Sequence, residues 1–564
     1  MDIFSALSRR GVVAVCVLLS ACAARPGAAG PVAGDPPADR AYGAFLSARY
    51  AEAQHDPVLA SEYYTQALRL EPGNRQLIDE GFLAALLAGS SQAETLASKV
   101  PANALAYMLR GNQAALDGDY GAASRIYAQL PQDGAIGLIR PLLLAWTAFG
   151  AGNAQAALAG LAPYYGTGLF SPVYALNGAL MADAAHDDAD AARLYAQAAI
   201  GPTNLRLAEI LASWHARQHQ PELAEQDLAA LIVAHPDLRI ALPQLQAQLG
   251  TPVIDTATQG LAEAYLTLAG SLIQPSQVFL HTTLLRFALM LRPDLTPARL
   301  LLAAAQLGSN PDVTPAPAQL RHALATLQPV PPDDPLYGPV VAQQVRLLAA
   351  LNRPAEAVAL QDKLIAAVPN DPGLLADAGD IWRNANQPAK ALPYYNRALA
   401  LIGNPAPATA WALYFDRGVC KDLLGDWAGA EPDLRTALAL APNQPYVLNY
   451  LGYSWALRGE HLDQARAMLE LAVTLDRNDG AVLDSLGFVD LQLHRTGEAV
   501  AVLIKAVELA PDNAEVNAHL GDAFWQAGEK LQANYQWQRA LAQQPDAKLE
   551  AALRAKLQKH FPAA

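Results

Sequence analysis

Cysteine and positive charge are both scarce in this sequence. Three cysteines among 564 residues cannot build a disulfide framework, and no C-x-x-C or H-E-x-x-H motif supplies a recognisable metal pattern. Lys and Arg number 39 against 53 Asp and Glu, so the net charge of −14 offers no basic surface to phosphates. The sequence therefore predicts no metal, no cofactor and no nucleic-acid partner.

Aromatic residues are also few, at 7% of the chain, and no stretch approaches the eighteen uninterrupted apolar residues of a membrane-spanning helix. Hydrophobic residues nevertheless reach 52%, far too many for a disordered chain, and alanine and leucine supply much of that total. A composition rich in alanine and leucine, and poor in aromatic and β-branched residues, favours helices over strands. We therefore expect an all-α fold.

No catalytic constellation stands out. Gly150 and Gly152 resemble the start of a dinucleotide-binding loop, but Gln155 occupies the sixth position and a helical pattern precedes the run. Cys420 is flanked by Val419 and Lys421 with no adjacent histidine, which favours a buried small hydrophobic residue over a nucleophile. The sequence therefore predicts a protein that is not an enzyme.

The N-terminus has the pattern of an export signal. Arg9 and Arg10 precede an apolar run at residues 11–19, which would rise only about 14 Å as a helix and is too short to span a membrane. Residues 19–22 (LSAC) resemble a bacterial lipobox, which implies removal of residues 1–21 and lipidation of Cys22. The alternative is an ordinary cleavage site at residues 21–24, with Cys22 incidental.

The residue after Cys22 indicates where a lipoprotein would be kept. Ala23 is not the aspartate that retains lipoproteins in the inner membrane, so the resemblance implies an outer-membrane lipoprotein facing the periplasm. Residues 22–40 are rich in Ala, Gly and Pro and cannot form a core, so we expect them to act as a flexible tether.

A period of about 34 residues runs through the C-terminal half. Glycines recur at spacings of 39, 34, 35 and 34, and alanines follow each glycine after twelve or thirteen residues and again seven residues later. Small residues at these offsets suit two antiparallel helices that cross closely. The glycines are Gly379, Gly418, Gly452, Gly487 and Gly521, and the alanines are Ala391, Ala398, Ala430, Ala437, Ala465, Ala472, Ala499, Ala506, Ala533 and Ala540.

This pattern resembles the tetratricopeptide repeat (TPR), which implies an α-solenoid of about a dozen helix-turn-helix repeats wound as a right-handed superhelix. Weaker units extend the pattern toward the N-terminus. We expect an N-terminal TPR array at 41–236, irregular helical repeats with Pro-rich loops at 237–335, a C-terminal array at 336–545 and a capping helix at 546–564.

In a TPR array the first helix of each repeat lines the concave groove. Counting each repeat glycine as position 8 puts positions 2, 5, 9, 12 and 13 in that groove. The predicted protein-binding groove comprises Tyr446, Asn449, Tyr453, Asp484, Phe488, Asp522 and Trp525. Aromatic side chains bury a large area and would supply apolar contact, while the amide and carboxylates would fix the direction of a bound segment. The alternative is that the aromatics belong to the repeat core, as we expect for Tyr450, Trp455 and Phe524.

The C-terminal segments are more specific than a generic TPR. Residues 444–455 (QPYVLNYLGYSW), 478–488 (NDGAVLDSLGF) and 517–525 (NAHLGDAFW) resemble the arrays of large proteobacterial TPR lipoproteins. That family includes the outer-membrane adaptor of a periplasmic carboxyl-terminal processing protease, which implies a protein-binding scaffold that brings cell-wall hydrolases to the protease. The alternative function is an assembly factor for an export or polysaccharide-synthesis machine. A hidden enzyme is the third possibility.

Overall fold

The computed structural model describes residues 37–166, 168–200, 204–272, 277–308 and 313–561. Within these ranges the chain forms α-helices joined by turns and short 3-10 segments, and no residue lies in a β-strand. The prediction of an all-α fold is confirmed. The chain divides between Leu360 and Gln361 into two compact units, here called the N-terminal and the C-terminal unit.

The N-terminal unit contains the first eighteen described helices and the start of the nineteenth. Their bounds are α1 (Pro37–Ala53), α2 (Pro57–Leu70), α3 (Arg75–Ala88), α4 (Gln92–Ala97), α5 (Ala104–Leu116), α6 (Tyr120–Tyr127), α7 (Gly134–Gly150), α8 (Ala154–Leu161), α9 (Ser171–Ala184), α10 (Asp188–Ala198), α11 (Leu205–Arg217), α12 (Pro221–Ala234), α13 (Leu242–Ala247), α14 (Ala257–Ser271), α15 (Val278–Leu291), α16 (Thr296–Leu307), α17 (Pro317–Leu327), α18 (Tyr337–Ala350) and α19 (Pro354–Ala367).

The C-terminal unit follows from within α19 and consists of regular helix pairs. Its further helices are α20 (Pro372–Asn384), α21 (Pro388–Ile402), α22 (Trp411–Leu423), α23 (Trp427–Leu440), α24 (Pro445–Arg458), α25 (Leu462–Leu475), α26 (Gly480–Gln492), α27 (Thr496–Leu509), α28 (Ala514–Gln526), α29 (Lys530–Ala542) and α30 (Ala547–His560). Each of the helices α20, α22, α24, α26 and α28 packs against the helix that follows it, as in a TPR.

The repeat turns fix where these helices begin. Asp371, Asp426, Asp479 and Asn513 precede α20, α23, α26 and α28, and each side chain accepts a hydrogen bond from a backbone N–H in the first turn of its helix. Such N-caps stabilise a helix by about 1 kcal/mol each.

The small-residue pattern marks the helix crossings, as predicted. A Cβ added to Gly487 would lie 2.4 Å from Cγ of Leu503, and one added to Gly521 would lie 2.4 Å from Cδ1 of Trp537. The ten alanines of the pattern have no exposed surface. Because the paired helices approach this closely, larger side chains would force them apart. This packing confirms TPR helix pairs in the C-terminal unit.

Two helices of the N-terminal unit pack against partners far away in sequence. Helix α14 lies against α7 and α9, and helix α15 lies against α3 and α5. Both helices belong to the segment 237–335, which the sequence predicted to be irregular. One continuous core, which extends from Ile78 to Leu302, results from this packing.

The predictions for the extreme N-terminus fall outside the described residues. They concern the signal peptide at 1–21, the lipidated Cys22 and most of the tether at 22–40. Helix α1 begins at Pro37, so the last four residues of the predicted tether are helical. At the other end, α30 lies within the predicted capping segment and packs against α29.

Candidate protein-binding groove

The predicted groove residues all lie on first helices of the C-terminal unit. Helix α24 packs beside α26, and α26 packs beside α28, so these three helices form one continuous face. We call this face the C-terminal groove. Because each first helix presents the same repeat positions, side chains from three repeats are brought together there.

Tyr446 and Asn449 form the most accessible part of the C-terminal groove. Both lie on α24, and Tyr446 is 51% exposed. Asn449 is half-buried, and its Oδ1 atom is enclosed without a hydrogen-bond donor among the described residues. An enclosed carbonyl oxygen without a donor costs free energy. A bound segment that donates a hydrogen bond to Oδ1 would remove that cost.

An aromatic row continues from Tyr453 across the next two repeats. The rings of Tyr453 and Phe488 are 5.3 Å apart and edge-on, and those of Phe488 and His519 are 4.7 Å apart. The Tyr453 hydroxyl donates a 2.7 Å hydrogen bond to Oε1 of Glu515. Burial, and then the Glu515 carboxylate, raise the pKa of Tyr453, so the hydroxyl stays protonated and keeps donating. Tyr453 and Phe488 both keep part of their surface exposed.

Asp484 is largely committed to a partner within the protein. Its side chain is 8% exposed, and each of its carboxylate oxygens lies 2.9 Å from Nδ1 of His519. Burial alone would lower the pKa of His519, but the carboxylates of Asp484, Glu515 and Asp522 raise it overall. This hydrogen-bonded pair holds α26 against α28 and leaves Asp484 little capacity to orient a ligand.

Asp522 and Trp525 contact the C-terminal helix α30. Asp522 Oδ1 accepts hydrogen bonds from Nε1 of Trp537 at 2.9 Å and from Nζ of Lys556 at 2.6 Å. The ring of Trp525 lies 4.0 Å from that of His560 and 6.0 Å from that of Phe561. Helix α30 therefore covers the predicted end of the groove, much as the first helix of another repeat would.

The structure thus narrows the candidate surface to Tyr446, Asn449, Tyr453 and Phe488. The repeat count placed the seven residues on one face but did not take into account which of them the capping helix would contact. Two further residues of this face, Glu515 and His519, were not predicted. Glu515 occupies position 2 of its repeat, so the same count could have found it, whereas His519 lies at position 6, which the count does not include.

The residues assigned to the repeat core are placed as predicted. Trp455 is 2% exposed, and Tyr450 and Phe524 pack partly buried against apolar clusters of the unit. Cys420 has no exposed surface, and burial raises the pKa of its thiol to about 12. A protonated, enclosed thiol is a poor nucleophile.

The described residues contain no group of three or more His, Cys, Asp or Glu side chains that could hold a metal ion. Among the same residues, no helix combines the length and the apolar character needed to cross a bilayer.

Comparison with known proteins finds partial relatives. A TPR repeat-containing protein of Pseudomonas aeruginosa is 32% identical over 153 residues, which are 24% of this chain and 26% of that protein. A lipoprotein NlpI homolog of Haemophilus influenzae is 39% identical over 74 residues, which are 13% of this chain and 24% of that protein. The chain thus spans about a quarter of the length of these curated relatives. No protein-family model matches the chain.

Solved structures with similar helix arrangements include a hetero-tetramer and a TPR protein. The Cut9–Hcn1 hetero-tetramer of the APC/C has a TM-score of 0.36 and 14% identity, covering 92% of this chain and 96% of that one. YrrB, described as a TPR protein with an unusual peptide-binding site, has a TM-score of 0.28 and 20% identity, covering 35% of this chain and 97% of its own. At these scores the likenesses add nothing to the fold that the chain's own helix pairs establish.

Proposed function

We propose that the protein is a non-enzymatic scaffold that binds segments of other proteins in the C-terminal groove. The observation that carries this proposal is the combination of a half-exposed Tyr446 with the partly exposed row of Tyr453 and Phe488 and the unpaired Oδ1 of Asn449. Aromatic rings supply contact area at low entropic cost, and the unpaired oxygen supplies direction. The TPR relatives support the same class of function.

We further propose that Cys22 is lipidated and anchors the scaffold to the outer membrane, facing the periplasm. The LSAC motif at residues 19–22 and the NlpI-like lipoprotein relative support this placement. The resemblance of the C-terminal repeats to an adaptor of a carboxyl-terminal processing protease points to envelope partners, namely that protease and the cell-wall hydrolases it degrades.

Site-specific cross-linking in cells tests the binding face. A photo-reactive amino acid replaces Tyr446 in one variant and Tyr535 in the control, because Tyr535 is 63% exposed but lies on the second helix α29. We expect discrete cross-linked proteins from position 446 and none of these from position 535. A protease or a hydrolase among them supports the adaptor role, and export or polysaccharide-synthesis components would favour an assembly factor. The same products from both positions would contradict a specific groove.

The anchor is tested independently. Replacing Cys22 with Ser should abolish incorporation of radiolabelled palmitate and move the protein from the membrane to the soluble periplasmic fraction. If the serine variant still carries label and stays with the outer membrane, lipidation at Cys22 is wrong.

A further inference from the structure

The first helices of the N-terminal unit have a groove face of their own. Position 9, directly after the small residue at each crossing, is Phe82 on α3, Asn112 on α5 and Trp146 on α7. None of these three side chains has any exposed surface. Helices α14 and α15, which lie against α3, α5, α7 and α9, cover them. We call this covered face the N-terminal groove.

Helix α14 fits the N-terminal groove closely at two places. A Cβ added to Gly260 would lie 2.3 Å from Cε3 of Trp146, so only glycine allows the indole to lie against the helix. One turn further on, the Tyr265 hydroxyl donates a 2.8 Å hydrogen bond to Oδ1 of Asn112. Oδ1 of Asn112 thus accepts a hydrogen bond, whereas Oδ1 of Asn449 in the C-terminal groove has no donor among the described residues.

Further polar contacts join α14 to α9 and α11. Asn177 on α9 accepts a 2.9 Å hydrogen bond from Nε1 of Trp146 and donates one of 3.1 Å to Oγ1 of Thr267. Glu263 has no exposed surface, and its two oxygens accept three hydrogen bonds of 2.7–3.1 Å from Arg206 on α11. Helix α14 is therefore bonded to α5, α9 and α11 as well as packed on α7.

Helix α15 completes the cover at the other end. Arg286 donates a 3.0 Å hydrogen bond from Nε to the carbonyl oxygen of Leu87, in the last turn of α3. A cation there satisfies carbonyl groups that the helix itself leaves unpaired.

We propose that α14 and α15 act together as a built-in ligand of the N-terminal groove. These two helices close the groove against other proteins and hold α3, α5, α7 and α9 in place. Ten of the fifteen residues of α14 are buried, as in a core helix rather than in an amphipathic segment at a surface. Release of α14 would take from Arg206 its three hydrogen bonds to Glu263, with Glu209 as the remaining carboxylate partner, and would remove the Tyr265 contact of Asn112 and the Thr267 contact of Asn177. The helix therefore opens only together with the helices it covers.

Hydrogen–deuterium exchange on the full-length protein tests whether α14 opens alone. We expect protection factors of α14 amides within about threefold of those of α7, because both are released in one opening event. Gly260→Ala, which meets Trp146, should lower protection in α14 and α7 together. Gly270→Ala is the matched control in the same helix, since a Cβ there meets nothing within 4 Å, and it should not lower protection, because alanine is the better helix former.

A labelled synthetic peptide with the α14 sequence (Ala257–Ser271) provides a second readout on the wild-type protein. We expect no saturable binding, because the groove that fits this sequence is already occupied. Protection of wild-type α14 more than threefold below that of α7, or saturable binding of the peptide, would overturn the proposal. Neither result depends on the partner of the C-terminal groove.

Discussion

The two grooves are built from the same repeat positions but are used differently. In the N-terminal groove, Phe82, Asn112 and Trp146 are fully enclosed, and Oδ1 of Asn112 and Nε1 of Trp146 are bonded to nearby side chains. In the C-terminal groove, Tyr453 and Phe488 at the corresponding position 9 keep exposed surface, and Asn449 has an oxygen without a donor. The repeat thus determines which residues face the groove, while the rest of the chain determines whether that groove is open.

The largest loss of stability is expected from breaking the ion pair between Glu263 and Arg206 in the N-terminal groove. Glu263→Ala removes three of the four hydrogen bonds that Arg206, whose side chain is 14% exposed, donates to carboxylates, and leaves Glu209 as its remaining partner. Breaking a buried ion pair typically costs about 3–5 kcal/mol, and because one carboxylate remains we expect a loss in the lower half of that range. Urea unfolding should show this loss, whereas Glu222→Ala on the exposed surface of α12 should change little. An unchanged midpoint for Glu263→Ala would mean that α14 does not hold this groove.

The next largest loss of stability is expected from Trp525→Ala, and it distinguishes Trp525 from the accessible residues of the C-terminal groove. Trp525 packs on Trp537, His560 and Phe561, so Trp525→Ala should lower the free energy of unfolding by about 3 kcal/mol. Calorimetry or chemical unfolding measures this change. If the variant instead keeps its stability and loses partner binding, the residue belongs to the recognition surface as the sequence predicted.

Replacement of Tyr446 is expected to reduce partner binding and to leave the stability of the protein unchanged. Because half of its surface is exposed, Tyr446→Ala should weaken partner binding by about 2 kcal/mol while the melting temperature stays the same. Tyr535→Ala on α29 is the matched control and should affect neither quantity. Affinity for a protein captured by cross-linking at position 446 is the measurement, and equal losses in both variants would contradict a groove-specific contact.

The smallest expected effect is a pH dependence of the stability that His519 contributes. The carboxylates around His519 raise its pKa above the ordinary 6.5 although burial opposes this, so the folded state binds the proton more tightly than the unfolded chain. The resulting stabilisation is fully present below pH 6.5 and is lost as the pH rises through the raised pKa. His519→Gln should therefore cost more stability at about pH 6 than at about pH 9. A cost that does not depend on pH would argue against a charged His519–Asp484 pair.

The fold could be predicted well because its determinants are local. Close crossings need small residues at fixed offsets, and Gly487 against Leu503 or Gly521 against Trp537 shows this directly. The repeat pattern became blurred between 237 and 335 for a physical reason. Gly260 is small because Trp146 of the distant helix α7 crosses it, and no period in the sequence encodes such a contact.

The candidate site could be predicted only in part. Counting positions placed Tyr446, Tyr453 and Phe488 on one shared face, because first helices of successive repeats lie side by side. The count could not distinguish them from Asp484, Asp522 and Trp525, which differ only in what lies opposite them. His519 and Lys556 neutralise the two aspartates, and both come from later helices.

Helix α30 has a consequence for self-association. The last repeat of a solenoid presents a face that fits another repeat, and head-to-tail stacking of such faces can propagate into open-ended filaments. Helix α30 occupies that face with the enclosed Leu553 and presents Lys548, Arg554 and Lys559 to solvent. A repeat of a second molecule would therefore meet charged side chains of α30 there instead of an open apolar face.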